Sequence, residues 1–226
     1  MKLPQIVLVT GTDTGVGKTI TTAAIASALQ AKGRSVAVYK PCQSGAAAGD
    51  SDCTEIVRLV GPLTAEAGVV LQEPLAPVPA AEFDGVELPP LAEHVRRVRE
   101  LAGAHDHVLV EGSGGLLVEL DHDGGTLADL GARLGPDATF VVVARPALGT
   151  LNHTALTLEA LDRRDLSTRG VVFGTWPDEP GLLEQGNLAT LRASRPLLGV
   201  LPERAAELPP LSFRTASAHW MNGMLS

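Results

Sequence analysis

Short aliphatic runs alternate along this chain with segments whose apolar residues repeat at helical spacing. Continuous apolar runs are typical of strands that are buried on both faces, as in a parallel sheet. The runs lie at 6–9, 35–39, 107–110, 139–144, 170–173 and 197–201, and the helical segments at 19–31, 91–102, 127–134, 151–161 and 182–193. This alternation predicts an α/β fold in which helices flank a doubly wound, mainly parallel sheet.

Two proline-rich stretches interrupt the alternation. Residues 72–90 contain five prolines, which predicts an irregular excursion over the surface, and the sequence leaves open whether it is a lid or a passive loop. Residues 202–210 are predicted to wrap the edge of the domain. Because 226 residues suit one α/β domain and are few for two, we expect a single domain over residues 1–226.

The composition excludes several classes of protein. Hydrophobic residues make up 45% of the chain and charged residues 19%, so it is not a disordered tail protein. No stretch has the roughly 18 uncharged apolar residues that span a bilayer, and the first residues are typical of a strand and not of a signal peptide. The net charge of −8 disfavours nucleic-acid and anionic-membrane partners. Cys42 and Cys53 form no CxxC pair, so we expect a cytoplasmic protein.

A glycine-rich segment, GTDTGVGKT at residues 11–19, lies directly between the first apolar run and the first helical segment. Backbone N–H groups of such a loop converge on phosphate oxygens at the helix N-terminus. Lys18 would neutralise the terminal phosphate, and the Thr19 hydroxyl would ligate Mg²⁺. The strict phosphate-loop pattern has a glycine where this chain has Thr12, and a glycine-rich turn with an exposed lysine is the alternative. The segment predicts binding of a nucleoside triphosphate. The expected nucleotide contacts here are Thr14, Gly15, Val16, Gly17, Lys18 and Thr19.

A second cation follows the apolar run at 35–39. Lys40 at the carboxyl end of a strand beside the phosphate loop would face the reaction crevice, where it could stabilise charge on a phosphoryl group in transfer. The Ser44 hydroxyl in the loop that follows can donate to an anionic group. The alternative for Lys40 is a surface lysine whose aliphatic stem packs on the domain.

Two carboxylates suit a metal ion at the same edge of the sheet. Asp50, Ser51 and Asp52 open a helical segment, where Ser51 or Asp52 is an N-cap candidate; Asp52 is alternatively a Mg²⁺ ligand. Glu111 ends the run at 107–110, and a buried carboxylate is costly there unless it is paired or bound to metal. Its position suits an acid that holds Mg²⁺ against the β and γ phosphates, although a buried, hydrogen-bonded glutamate is the alternative.

Together these segments resemble the dethiobiotin synthetases, ATP-dependent ligases of the P-loop NTPase superfamily that close the ureido ring in biotin synthesis. The matching segments are GTDTGVGKT at 11–19, YKPCQSG at 39–45, VLVEGSGG at 108–115, LGTLNHTALT at 148–157 and PLLG at 196–199. They occur in family order and cover most of the chain. Many NTPases share the first segment, whereas the second and fourth are much more specific.

The resemblance implies the reaction and its residues. An amine of 7,8-diaminopelargonate captures CO₂ as a carbamate, the carbamate takes the γ-phosphoryl group of ATP, and the second amine closes the ring and expels phosphate. By position, Lys18 and Lys40 are the catalytic cations, and Thr14 and Ser44 contact the carbamate region. The implied Mg²⁺ ligands are Thr19, Asp52 and Glu111. Further implied nucleotide contacts are Asp52, Glu111, Gly112, Ser113 and Gly114.

The resemblance also implies a homodimer with shared sites. In this family the turn that matches Gly149, Thr150, Leu151 and Asn152 belongs to the neighbouring subunit and binds the distal carboxylate of the substrate. Free N–H groups at a helix start suit an anion. The alternative is an ordinary helix start capped by Thr150 or Asn152.

One departure from the family bears on the choice of nucleotide. Many members carry an asparagine that recognises adenine after the strand at 170–173, and this chain has Gly174 there. Loss of an amide removes a group that can read the edge of the base. We therefore expect relaxed nucleotide choice, with CTP, GTP or UTP competing with ATP. The backbone of Gly174, Thr175, Val200, Leu201 and Pro202 is still expected to contact the base or ribose.

Two other functions fit parts of this pattern. Another P-loop amidoligase is one, but such chains usually carry a glutaminase domain, for which no length is left. A ParA/MinD-like nucleotide switch is the other, but its signature lysine near residues 11–13 is missing.

Overall fold

The computed structural model describes residues 3–49 and 51–225, so Asp50 and the terminal residues Met1, Lys2 and Ser226 lie outside the described residues. The predicted helix start at Asp50 is therefore described only from Ser51 onward. The strands are β1 Ile6–Gly11, β2 Val36–Gln43, β3 Thr64–Val70, β4 His107–Gly115, β5 Ala138–Ala144, β6 Thr168–Trp176 and β7 Leu197–Pro202. They form one sheet in the order β3-β2-β4-β1-β5-β6-β7, and every strand pair is parallel.

Helices cover both faces of this sheet. They are α1 Lys18–Gln30, α2 Asp52–Val60, α3 Pro77–Asp84, α4 Leu91–Ala104, α5 Leu127–Leu134, α6 Thr150–Asp162, α7 Leu182–Ser194, α8 Pro210–Trp220 and α9 Asn222–Leu225. Short 3₁₀ turns lie at Ala46–Ala48, Gly135–Asp137 and Ala205–Glu207. Among the described residues, no helix is long and apolar enough to cross a bilayer.

Each face of the sheet has its own hydrophobic core. Along β1, Ile6 and Leu8 pack in one core with side chains of α4, α5 and α6, while Val7 and Val9 pack in the other with α1, α2 and α8. Successive side chains of a strand point to opposite faces, so a strand covered on both sides is apolar along most of its length. The predicted doubly wound parallel sheet is confirmed.

Two elements depart from the sequence prediction. The sequence has no apolar run at β3, so this strand was not predicted. It is the edge strand beside β2, and its side chains are half-buried or exposed. The predicted irregular excursion over 72–90 is wrong for α3. Pro77 occupies the first position of that helix, where the missing N–H would have had no intrahelical partner. Ala80 and Ala81 of α3 are buried in the core.

The strand order decides where a ligand can bind. Since β4 lies between β1 and β2, the carboxyl ends of these three parallel strands meet at one edge of the sheet. The loop after β1, the lysine in β2 and the glutamate in β4 are therefore brought together, as expected for ligand sites in open α/β sheets.

Candidate active site

The loop between β1 and α1 is shaped for an anion. Gly17 precedes α1 in the left-handed region, with φ of 93°, and no side chain caps the helix. The first N–H groups of α1 are therefore left for a ligand, and the helix dipole favours negative charge there. Gly11 has a packing reason of its own, since a Cβ would lie 2.7 Å from the Asp13 carbonyl oxygen.

Lys18 lies across the phosphate loop. Its Nζ donates to the Asp13 carbonyl oxygen at 3.0 Å, and the residue is 8% exposed. Burial lowers the pKa of Lys18 to about 8, because the charged form is poorly solvated. To reach a phosphate, the ammonium group must exchange this carbonyl for phosphate oxygens.

Four side chains join at the ends of β2 and β4 and the starts of α1 and α2. Thr19 Oγ1 lies 3.0 Å from Asp52 Oδ1 and 2.9 Å from Glu111 Oε1. Lys40 Nζ donates to the same Glu111 oxygen at 3.0 Å and forms an ion pair with Asp52. Lys40 is thus a buried member of a polar cluster and not a surface lysine.

The cap of α2 leaves Asp52 available to this cluster. The Ser51 side chain accepts from the Thr54 N–H at 3.3 Å, so Ser51 is the N-cap and Asp52 is the first helical residue. The carboxylate of Asp52 is therefore turned toward Thr19 and Lys40 and is not used for capping.

Lys40 offsets part of the negative charge that the two carboxylates bring to the cluster. Burial alone would lower the pKa of Lys40, but the Glu111 and Asp52 carboxylates outweigh that effect and hold the pKa above its usual value. Glu111 is 1% exposed, and its second oxygen, Oε2, has no hydrogen-bond partner among the described residues. A buried acceptor without a partner is costly, so this oxygen is suited to a ligand.

A cavity of about 860 Å³ opens over the cluster. The sequence-predicted residues that line it are Thr14, Gly15, Gly17, Lys18, Thr19, Lys40, Ser44, Asp52, Glu111, Ser113 and Gly114. Residues that the sequence did not single out form the rest of the wall, among them Gln43, Pro74, Leu75, Pro77 and Val118. The lining of the cavity therefore combines charged and apolar side chains, which suits a ligand with a polar head and an aliphatic chain.

Backbone hydrogen bonds join residues 71–73, which lead into the proline-rich part of the cavity wall, to the loop that carries Ser44. Three backbone N–H groups of residues 45–47 donate to carbonyl oxygens of residues 71–73 at 3.0 to 3.2 Å. The start of the proline-rich stretch is thereby held in place, so it is not a freely swinging flap.

Some predicted site residues lie outside this cavity. Val16 is buried in the core, and Gly112 packs against α5, where a Cβ would lie 2.6 Å from Leu127 Cδ2. The Ser113 hydroxyl lines the cavity but donates to the Cys42 carbonyl oxygen at 2.7 Å. The group Gly174, Thr175, Val200, Leu201 and Pro202 lies at the carboxyl ends of β6 and β7, with Gly174 beside the phosphate loop.

The turn before α6 also lies outside the cavity of its own chain. Gly149, with φ of 91°, precedes the helix and no side chain caps it, so the alternative of a cap by Thr150 or Asn152 is wrong. Thr150 is buried and its hydroxyl has no partner among the described residues, whereas Leu151 and Asn152 are exposed.

A larger cavity of about 1090 Å³ lies at the opposite edge of the sheet, lined among others by Gln5, Arg34 and Asp106. Asp106 is already paired there with Ser35 and Arg34. That edge holds the amino ends of the strands, so the carboxyl-end cavity is the candidate active site.

Comparison with known proteins bears on the family of this chain. A family model described as an AAA domain matches residues 5–210. The "ATP-dependent dethiobiotin synthetase BioD" of Mycobacterium avium (strain 104) is 50% identical over 214 residues, which are 94% of this chain and 93% of that protein. The proteins of that name from Rhodococcus jostii (strain RHA1) and Streptomyces avermitilis are 47% and 46% identical, over 96% of this chain and 95% and 92% of theirs.

Similar solved structures include two proteins from Pyrococcus species with low sequence identity. The septum site-determining protein MinD, complexed with Mg-ADP, from Pyrococcus horikoshii OT3 has a TM-score of 0.62 and 15% identity over 98% of this chain and 94% of its own. The Pyrococcus furiosus cell division ATPase MinD has a TM-score of 0.62 and 16% identity, over 98% of both chains. These likenesses show the P-loop NTPase fold alone. With relatives of up to 50% identity along nearly its whole length, the chain belongs to the ATP-dependent dethiobiotin synthetases, the ligases of biotin biosynthesis.

Proposed function

We propose that this chain, acting as a single synthetase domain, uses the carboxyl-end cavity to convert 7,8-diaminopelargonate, CO₂ and ATP into dethiobiotin, ADP and phosphate. The observation that carries the proposal is a cluster of side chains in direct contact beside a phosphate loop. Its members are Lys40, Thr19, Asp52 and Glu111. Phosphoryl transfer to a carbamate needs cations and positioning more than a protein nucleophile, and the cluster offers these.

The reaction has three steps. An unprotonated amine of the diamine attacks the carbon of CO₂, forms a C–N bond and loses a proton, which leaves a carbamate. A carbamate oxygen then attacks the γ-phosphorus of ATP, the P–O bond to the β-phosphate breaks, and ADP leaves. The second amine attacks the carbonyl carbon of the carbamic–phosphoric anhydride, loses a proton, and expels phosphate as the ring closes.

Two lysines serve the second step. Lys18, once released from the Asp13 carbonyl, would bind the terminal phosphate oxygens. Lys40 is held in its ammonium form by Glu111 and Asp52 and would stabilise the charge on the phosphoryl group in transfer. Thr14 and Ser44, which line the same cavity, would contact the carbamate.

Thr19, Asp52 and Glu111 would hold Mg²⁺. All the atoms concerned are hard oxygen donors, which Mg²⁺ prefers, and the buried Glu111 Oε2 has no other partner among the described residues, so the residues fit the ion. When bound, the ion neutralises charge between the β and γ phosphates.

Fixation of labelled bicarbonate into acid-stable product tests this proposal. A carbamate loses its label on acidification, so only ring closure retains it. We expect label that depends on both ATP and the diamine, that is abolished in Lys40→Ala, and that is unchanged in Lys32→Ala, a control at an exposed lysine. Triphosphate hydrolysis without retained label, whether or not the diamine is present, would contradict the proposal.

We also propose a homodimer in which the turn at Gly149–Asn152 serves the partner's cavity. Its support in this chain is the exposure of Leu151 and Asn152 away from their own cavity. Mixing Lys40→Ala chains with Asn152→Ala chains would rebuild one intact site per mixed dimer, so we expect about a quarter of wild-type activity from two weak parents. Activity that stays at the mean of the parents would contradict a shared site.

Relaxed nucleotide choice belongs to the same proposal. The steric environment of Gly174 supports it, because a side chain that could read the base has no room there. Comparable kcat/KM values for ATP, CTP, GTP and UTP are expected, and at least a hundredfold preference for ATP would contradict the idea. We place the reaction in the cytoplasm, where the free thiols of Cys42 and Cys53 stay reduced.

A further inference from the structure

The amide of Gln43 joins two loops of the active site. Gln43 is the last residue of β2 and is only 5% exposed. Its Oε1 accepts the backbone N–H of Asp52 at 3.0 Å, and its Nε2 donates to the Ser44 carbonyl oxygen at 2.9 Å. Both ends of the side chain are therefore used, one toward the proposed metal ligand and one toward the loop proposed to contact the carbamate.

The hydrogen bond to Asp52 fixes the direction of its carboxylate. Asp52 is the first residue of α2, so its N–H has no partner within the helix. Gln43 supplies that partner from β2, and the Ser51 cap fixes the N–H of Thr54. With its backbone held from the strand, Asp52 presents its carboxylate to Thr19 and Lys40.

The hydrogen bond to Ser44 acts on the neighbouring turn. Gly45, in the left-handed region with φ of 80°, follows Ser44, and the N–H groups of residues 45–47 are bonded to residues 71–73. The Gln43 amide thus completes a frame of hydrogen bonds around Ser44, which lines the cavity and whose hydroxyl is not part of that frame. A loop held in this way keeps that hydroxyl ready for an anionic group.

We infer that Gln43 is a positioning residue that sets the geometry of the Mg²⁺-binding carboxylate of Asp52 and of the substrate loop at Ser44 together. The inference rests on the proposed function of the cavity and deepens it. Gln43 does not touch the reacting atoms; it acts through the two residues that its amide holds.

Two substitutions separate the two hydrogen bonds. Gln43→Glu keeps an acceptor for the Asp52 N–H but loses the donor to Ser44 and sets a carboxylate oxygen against the Ser44 carbonyl. Gln43→Met keeps the length of the side chain and loses both bonds. Gln185→Met is the matched control, because Gln185 is exposed on α7 and its Nε2 likewise donates to a backbone carbonyl, that of Pro180.

The first readout is binding without turnover. The affinity for a non-hydrolysable ATP analogue is measured by calorimetry with Mg²⁺ and with chelator, and the ratio gives the enhancement due to the metal. We expect Gln43→Met to reduce that ratio about tenfold and Gln43→Glu to leave it within about threefold, because one lost hydrogen bond changes an equilibrium by factors of this size. Gln185→Met should behave as the wild type.

The second readout is the KM for the diamine, which we expect to rise about tenfold in both Gln43 variants, with a smaller change in kcat. An unchanged Mg²⁺ enhancement in Gln43→Met, with only a lower melting temperature, would overturn the inference and leave Gln43 a structural residue. Absence of label fixation in the wild type would instead overturn the proposed function, while the binding experiment would still report on Gln43.

Discussion

Gly174 lies so close to Val16 that a Cβ at position 174 would be 2.2 Å from the Val16 carbonyl oxygen. The same Cβ would lie 3.1 Å from Gly17 Cα, so the end of β6 packs directly on the backbone of the phosphate loop. The glycine is therefore required by a close approach of two backbones, and a side-chain amide at this position has no space.

This close approach predicts the effect of placing a larger side chain at position 174. Both Gly174→Ala and Gly174→Asn should displace the phosphate loop and weaken binding of every nucleotide by about tenfold or more, since overpacking typically costs about 1–3 kcal/mol. Gly103→Ala in α4 is the control, because nothing lies within 4 Å of its Cβ. Calorimetric titration with ATP and CTP measures the effect, and a gain in ATP affinity for Gly174→Asn would contradict the steric argument.

Removal of the Lys40 charge should reveal the electrostatic balance of the site. In Lys40→Met the buried Glu111 carboxylate and the half-buried Asp52 carboxylate lose the cation that pairs with them, and leaving a buried charge such as that of Glu111 unpaired costs about 3–5 kcal/mol. We expect a lower melting temperature, partly restored by millimolar Mg²⁺, together with a loss of activity of about a thousandfold. The wild type and Lys32→Met should show little stabilisation by Mg²⁺ in the absence of nucleotide, and equal stabilisation of all three proteins would refute the argument.

The packing of α5 on β5 gives a test in the core. Gly131 lies in α5, and a Cβ there would be 2.5 Å from Phe140 Cζ. Gly131→Ala should therefore lower the free energy of unfolding by about 1–3 kcal/mol, although alanine is the better helix former by about 1 kcal/mol. Gly186→Ala in α7, where a Cβ meets nothing within 4 Å, should raise it by up to about 1 kcal/mol. Urea unfolding measures both, and effects of the same sign would show that close packing does not decide them.

Asp13 and Arg145 form an ion pair that is exposed to solvent, in contrast to the buried ion pair between Lys40 and Glu111. The Thr14 backbone N–H and the Arg145 guanidinium hold the pKa of Asp13 below its usual value. A double-mutant cycle with Asp13→Asn and Arg145→Gln should give a coupling of about 0.2–1 kcal/mol that falls with added salt. Because the pKa of Asp13 is lowered by folding, the contribution is present at neutral pH and is lost as the pH falls through that lowered value. A coupling that does not change with salt or acid would contradict this picture.

Much of the fold could be predicted because the sheet is covered on both faces. The strands β1 and β5 are buried throughout and mostly apolar, and α5 matches its predicted bounds because Thr126 and Asp129 form a capping box at its start. The edge strand β3 could not be predicted, since a strand half-exposed to solvent keeps no continuous apolar run. The helix α3 was not predicted because its segment is rich in proline, although Pro77 is the first residue of the helix.

The charged residues of the site could be predicted from the sequence, but the contacts that hold them in position could not. Lys18 and Asp52 open helices, and Lys40 and Glu111 directly follow apolar runs within β2 and β4, so their position in the sequence carries the signal. The proposed role of Gln43 depends on how the chain turns between β2 and α2, and no local sequence pattern predicts that turn. The reason for Gly174 likewise depends on a contact between segments that are far apart in the sequence.

The position of Lys40 has a consequence for the proposed metal site. The two carboxylates that would receive a divalent cation already carry an internal counter-ion, so the folded chain does not depend on that cation for its stability. In this respect the site is the opposite of a structural zinc centre, whose protein unfolds when the metal is removed. A divalent cation held there as proposed would therefore be able to arrive with one nucleotide and leave with its product, once in every catalytic cycle.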